Sequence, residues 1–304
     1  MEAEYCYTKM IVLGSGKLAY QCAVAGKNFL DNVEVLEYKV THSTVLQKLC
    51  EKESLPYFCF DKEQLRRHLM EETQETLVVS AGNTYLIPKV IIEKSNLMIV
   101  NWHNALLPHH RGRNAEAWSI YQGDEVTGIT WHCLTEGVDA GDIIAQEEIP
   151  LDGTITALKL FQKQCDLGLQ VFERILEPLL LRRCRFRRQT KLSEEQLHFS
   201  YEIPNGGWLD TEWDFKQISR FLRAMDYGAL CLLGEMHVRW QGEVYRFSRY
   251  RMKDEAAAGD DAIILRGDDM VIFREGHKIT LKSLKAEGDI NGERQDFRAV
   301  ETGK

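Results

Sequence analysis

Three apolar runs constrain the first half of this chain: Met10–Gly14 (MIVLG), Thr76–Gly82 (TLVVSAG) and Leu97–His103 (LMIVNWH). Each is too short to cross a bilayer and offers no polar face, as in strands of a parallel sheet covered by helices on both sides. The intervening segments supply such helices. KLAYQCAVAGKNFL and HSTVLQKLCEKESL carry apolar residues at three- and four-residue steps, and KEQLRRHLMEE is polar and helical. VEVLEYKV and LPYFCF read as further strands. This alternation predicts an α/β fold, a Rossmann-like, mostly parallel sheet with helices on both faces. TGITWHCLTEG and DIIAQEEIP then read as a hairpin, and an amphipathic helix runs from Thr154 to Leu181.

Beyond that helix the pattern changes. LRRCRFRRQTK is basic and aperiodic, PNGGWLDTEW is turn-rich, and DFKQISRFLRAM is a short helix. MHVRWQG, EVYRFSRYRM, AIILRG, MVIFREG and KITLKSL are short strands separated by turn residues. The expected division is a catalytic domain over 1–185, a linker over 186–204, and a small, mainly β, OB-like domain over 205–304. The net charge of −8 argues against a general nucleic-acid binder. The start, MEAEYCYTKM, lacks the pattern of a signal peptide, and no apolar stretch is long enough to span a membrane. Eight scattered cysteines without a C-x-x-C pair read as reduced thiols, so the expected compartment is the cytoplasm and no metal site is expected.

Two regions carry candidate chemistry. Gly14-Ser15-Gly16-Lys17-Leu18-Ala19 fits a G-x-G-x-x-A turn between strand and helix, with Glu34 or Glu37 at the distance of a ribose-binding acid. It reads either as a dinucleotide loop or as a plain tight turn, with a substrate or anion contact at Gly14, Ser15, Gly16 and Lys17. A second region begins where the strand LMIV runs into Asn101-Trp102-His103. Side chains alternate along a strand, so Asn101 and His103 share a face at its carboxyl end, where open α/β sheets place their ligands. Downstream, Glu136-Gly137-Val138-Asp139-Ala140-Gly141-Asp142 brackets an aspartate with glycines.

NWHNALLPHHRGRNA followed by EGVDAGDII resembles the folate-dependent formyltransferase superfamily, which includes methionyl-tRNA formyltransferase and the nucleotide-sugar N-formyltransferases. The resemblance covers residues 8 to 180, and the chain departs from it at Ala105, where the family usually has serine. It implies transfer of the formyl group of 10-formyltetrahydrofolate to an amine, with Asn101, His103 and Asp139 as the catalytic trio. The reaction calls for donors to a developing oxyanion, met by Asn101 and His103, and for a base near neutral pH, which His103 supplies. Asp139 would orient the imidazole or relay a proton. The resemblance also implies that Glu136, Gly137, Val138 and Asp142 bind the pterin edge and that Leu86 and Ile87 flank its ring. His132 is a supporting residue, and His109 and His110 belong to a surface loop.

The second domain bears on the acceptor. GGWLD and LRAMDYGA resemble segments that methionyl-tRNA formyltransferase and the sugar N-formyltransferases carry after their linker. Residues 205–304 hold 16 Lys/Arg against 18 Asp/Glu, a net of −2, whereas docking tRNA needs clustered positive charge. The arginines at 182, 183, 185, 187 and 188 are the countervailing feature. A small-molecule amine, above all a nucleotide-linked amino sugar, is therefore the expected acceptor, with Arg223 and Tyr227 as its contacts. Methionyl-tRNA, an amino acid or a hydroxylamine are the alternatives, and a formyl-folate hydrolase is a closer rival than an NAD-dependent enzyme or a non-catalytic module. A small β domain after a linker also allows a homodimer.

Overall fold

The structure is a computed structural model, and it describes residues 5–189, 197–254 and 261–287. The chain forms two compact units. The first comprises Met1–Gly112, Val126–Pro150 and Phe161–Leu197, and the second Arg113–Glu125, Leu151–Leu160 and His198–Lys304. The segments 113–125 and 151–160, which lie inside the expected catalytic stretch, thus cluster with the C-terminal unit.

In the first unit, strands β1 (Lys9–Gly14), β2 (Asn32–Tyr38), β3 (Tyr57–Phe60), β4 (Thr76–Ala81) and β5 (Leu97–His103) run parallel in the order β3-β2-β1-β4-β5. After a two-residue strand β6 (Arg111–Gly112), β7 (Val126–Cys133) and β8 (Ile143–Pro150) extend the same sheet antiparallel, as the hairpin reading requires. Helices α1 (Gly16–Lys27), α2 (Val45–Lys52), α3 (Lys62–Glu71) and α4 (Lys89–Ile92) connect the strands. Period-two alternation sends Met10 and Val12 into one core and Ile11 and Leu13 into the other, so both faces of β1 are covered. On one side the core takes in Ala19, Cys22 and Ala23 of α1, on the other Leu65 and Leu69 of α3. Helix α3 starts at a capping box: Asp61 accepts from the Gln64 amide (2.8 Å), and the Gln64 side chain accepts from the Asp61 amide (2.9 Å).

The long helix, α6, spans Ala157–Leu180, three residues shorter at its start than the periodicity suggests. Asp152 Oδ1 accepts from the amides of Thr154 and Ile155 (2.8 and 3.2 Å), an Asx-type turn that delays the first helical turn. Gly168 of α6 makes room for an indole. A Cβ there would lie 2.4 Å from Trp102 Nε1. The Gly168 carbonyl also accepts from Trp131 Nε1 at 2.9 Å.

The second unit is β-rich, as expected, and its described residues form two four-stranded sheets. After a two-residue strand β9 (Leu197–His198), one sheet holds β10 (Trp208–Leu209), β11 (Met236–Trp240), β12 (Glu243–Phe247) and β17 (Lys285–Glu287); the other holds β13 (Arg249–Asp254), β14 (Ala262–Arg266), β15 (Asp269–Arg274) and β16 (His277–Lys282). Segment EVYRFSRYRM, read as one strand, divides at Ser248 between the two sheets. The positions that pack on the core are Tyr245 and Phe247, then Tyr250 and Met252, so the alternation slips by one residue where the chain changes sheet. Both sheets share a core with Ile218, Phe221, Leu222 and Met225, contributed by helix α7 (Phe215–Ala224) and its C-cap. Helix α5 (Ala115–Gln122) belongs here too: Trp118 stacks on His198 at 4.3 Å, and Tyr121 packs on the same core.

Candidate active site

Strand β5 delivers Asn101 and His103 to one face at its carboxyl end, and the neighbouring strands fix their surroundings. Ser80 on β4 is the register partner of Asn101, and His132 on β7 is its partner on the other side. Ser80 Oγ donates to Asn101 Oδ1 at 2.6 Å. With its oxygen engaged, the amide presents Nδ2 inward, 3.1 Å from His132 Nε2 and 3.4 Å from Asp139 Oδ1. His132 Nδ1 donates to the Cys133 carbonyl at 2.8 Å, and this bond sets the ring's orientation.

Asp139 reaches the cluster from the loop after β7. Its backbone is left-handed (φ 47°), and its carboxylate accepts from the Gly112 amide at 2.8 Å. His103 Nδ1 lies 3.4 Å from Oδ2, and His132 Nε2 lies 3.4 Å from Oδ1. The loop is held from outside by Gln189, whose Nε2 donates to the carbonyls of Asp139 (2.8 Å) and Gly141 (2.7 Å). At Gly141 a Cβ would sit 1.8 Å from the Cys133 carbonyl oxygen, so only glycine permits this approach.

Burial and charge pull against each other here. Burial alone would raise the Asp139 carboxyl, but the His103 charge, the His132 ring and the Gly112 amide outweigh it and hold the group well below the usual carboxylate range. Burial pushes His103, 4 % exposed, below the ordinary imidazole value, and the Asp139 charge opposes that shift without cancelling it. Nε2 of His103 donates to the His110 carbonyl at 2.8 Å. In the neutral ring Nδ1 is then the basic nitrogen, and it faces a carboxylate that stabilises a proton taken up there.

The trio expected from the sequence is thus brought together within the first unit. His110, read as a surface-loop residue, is instead buried at 5 % exposure with φ 49°, and its carbonyl is the partner of His103; His109 is exposed. Of the apolar residues expected to flank the co-substrate, Val138 and Leu86 are left at 44 and 83 % exposure, while Ile87 is buried in the core. Glu136, Gly137 and Asp142 are exposed, and Glu136 pairs with Lys89 at 2.9 Å. The Gly14 turn is spent on packing: a Cβ on Gly14 would meet the Ala81 carbonyl oxygen at 1.8 Å, and Ser15 Oγ donates to the Gly82 carbonyl at 2.8 Å. Gly16, with φ +70°, and Lys17 are exposed. Both ribose-acid candidates turn inward. Glu34 binds His68 (2.6 Å) and Lys9 (3.1 Å), and Glu37 accepts from Thr44 (2.6 Å) and Tyr57 (2.8 Å). That leaves the dinucleotide reading of the turn without its acid.

Arg223 and Tyr227 lie in the second unit, 7 and 3 % exposed. Arg223 Nη1 donates to the Ile155 carbonyl at 3.1 Å, and the Tyr227 hydroxyl donates to Glu116. Both are engaged in that unit's own packing, which is at odds with their reading as acceptor contacts. The sequence reading missed Ser80, Gly112, Gln189 and the His110 carbonyl. Of these only Ser80 left a signal, as the polar residue that interrupts TLVVSA near its carboxyl end.

Residues 30–176 match the formyl transferase family. The GDP-perosamine N-formyltransferase of Brucella melitensis is 34 % identical over 149 residues, 49 % of this chain and 56 % of that protein. The methionyl-tRNA formyltransferase of Bacillus cytotoxicus is 32 % identical over 171 residues, 55 % of this chain and 54 % of that protein. The chain thus spans little more than half the length of these curated relatives. Among solved structures, a sugar 3N-formyl transferase crystallised with dTDP and 5-N-formyl-THF superposes with a TM-score of 0.72 at 16 % identity, covering 92 % of this chain and 98 % of its own. An N-formyltransferase from Helicobacter canadensis, in complex with folinic acid and dTDP-3-aminofucose, gives 0.71 at 16 % identity over 90 and 98 %. At that identity the likeness is one of fold. The motif-bearing segment that holds Asn101, His103 and Asp139 lies wholly within the residues that match the formyl transferase family.

Proposed function

We propose that this chain is an N-formyltransferase that moves the formyl group of 10-formyltetrahydrofolate onto the amine of a nucleotide-linked sugar. The observation that carries the reading is the closed cluster of Asn101, His103 and Asp139, in which Ser80 fixes the Asn101 donor and Asp139 faces the basic nitrogen of His103. The folate co-substrate supplies an activated formyl carbon. Asn101 Nδ2 donates to the formyl oxygen as negative charge develops there. His103 takes the proton that the attacking amine sheds, and Asp139 stabilises the resulting imidazolium. The proton is returned to the folate nitrogen as its bond to carbon breaks, leaving the enzyme unchanged. Exposed Leu86 and Val138 fit a role in covering an apolar ring, and the exposed backbone of the 136–138 segment fits one in binding its polar edge.

A nucleotide sugar is favoured over tRNA for two reasons. The named relatives include a sugar-nucleotide enzyme, and the arginines after α6 are partly spent. Arg182 pairs with Glu75 and lies over the Tyr7 ring at 4.6 Å, and Arg187 binds Gln146. No helix among the described residues is long and apolar enough to cross a membrane, and all eight cysteines are free thiols, in keeping with a cytoplasmic enzyme. Incubation with 10-formyltetrahydrofolate and separate amino-sugar nucleotides, amino acids and methionyl-tRNA, read by mass spectrometry, tests this. A formyl mass gain on an amino-sugar nucleotide is the expected result, and gain on methionyl-tRNA alone would overturn the acceptor assignment.

A further inference from the structure

The sheet β10-β11-β12-β17 has one face turned into the core and one turned out. Met236, Val238 and Phe247 lie on the inner face, at 3 % exposure or less. On the outer face the register lines up one residue from each strand: Trp208 pairs with His237, His237 with Arg246, and Arg246 with Lys285. Directly opposed residues share a face, so these four form a row across the sheet. With neighbouring strands about 4.8 Å apart, Arg246 stands about 10 Å and Lys285 about 14 Å from Trp208. Arg239, two residues beyond His237 and on the same face, places its guanidinium 5.9 Å from the Trp208 ring centroid, and the His237 ring lies 5.1 Å from it.

The row is chemically graded. At one end stands an indole 37 % exposed, an unusual expenditure of apolar surface on an open sheet face. At the other end are exposed cations. Arg246 is paired with Glu235 at 3.3 Å, but with both side chains more than a third exposed this pair is weak and yields to a stronger anion. An aromatic platform joined to cations suits a ligand with a flat π-system at one end and phosphates at the other. The net of −2 over residues 205–304 does not reveal that Arg239, Arg246 and Lys285 share one sheet face.

We propose that this outer sheet face is a nucleoside diphosphate binding site, with the base on Trp208 and the phosphates on Arg246, Arg239 and Lys285. The identity of the ligand rests on the nucleotide-sugar reading of the acceptor. Titration calorimetry of the full chain with GDP and with dTDP tests it, alongside Trp208→Ala, Trp208→Phe and Arg246→Ala. Loss of base stacking in Trp208→Ala weakens binding about tenfold or more. Trp208→Phe retains most of the affinity, and Arg246→Ala weakens binding and reduces its salt dependence. Circular dichroism and melting temperatures matching wild type show that the sheet is intact. Unchanged nucleotide affinity in Trp208→Ala and Arg246→Ala overturns the proposal, as does Trp208-dependent binding of an RNA oligonucleotide without binding of either free diphosphate. If Trp208-dependent nucleotide binding persists while no amino-sugar nucleotide is formylated, the site stands and the acceptor assignment falls.

Discussion

Turning the Asn101 amide over would set its oxygen against the Asp139 carboxylate and its NH2 group against the Ser80 hydroxyl. The acceptors Asp139 and His132 Nε2 favour the opposite orientation, and Ser80 Oγ, donating to the amide oxygen at 2.6 Å, holds it and keeps a donor aimed into the site. In Ser80→Ala the amide loses that bond, whose worth is about 1 kcal/mol for a typical hydrogen bond. Steady-state kinetics should show kcat lowered about five- to tenfold with KM for the folate little changed; a rise in KM at constant kcat would show that Ser80 shapes binding instead. The pH profile follows from the two shifted groups. Burial holds His103 below its ordinary value of about 6.5, so the imidazole is in its basic form at neutral pH and the acid limb of kcat falls below that point. Asp139 raises the His103 value against burial, so Asp139→Asn should lower kcat and move the acid limb to still lower pH. An acid limb that moves upward in this variant would contradict the assigned pairing.

At the scale of elements, the loop from Glu136 to Asp142 is positioned by close approaches as much as by hydrogen bonds. Gly141→Ala drives a Cβ into the Cys133 carbonyl, a contact that forces the loop from its place. A destabilisation of about 1–3 kcal/mol is expected from such overpacking, read as a lowered melting temperature together with loss of turnover. An unchanged melting temperature and rate would show that the loop has room the geometry denies. The strands β1, β4 and β5 were legible because burial on both faces leaves a continuous apolar run, and Asn101 and His103 because polar residues break such a run at its end. Helix α5 was harder to place. Its buried face, including Ala117, Ser119 and Ile120, looks like any helix on a sheet, and nothing in RNAEAWSIYQ says that its partner is α7, about a hundred residues on. The anchoring of Asp139 by Gln189 was illegible for a similar reason, since a side-chain amide on an aperiodic segment carries no pattern.

Across the whole molecule, the two units exchange chain segments, so a cut after the long helix does not separate them. The relatives follow this architecture closely in fold: the sugar 3N-formyl transferase matches 92 % of this chain, although identity there is 16 %. The match to the formyl transferase family covers residues 30–176, the stretch that holds the trio. The central claim is that this trio transfers a formyl group. Its most direct test is the absorbance change as 10-formyltetrahydrofolate becomes tetrahydrofolate in the presence of an amino-sugar nucleotide, with wild type and His103→Ala compared at matched folding. Acceptor-dependent turnover in wild type, lowered about 10²–10⁴-fold in the variant, is the predicted result. Turnover that is equal in the two proteins, or absent from wild type with every acceptor, would contradict it.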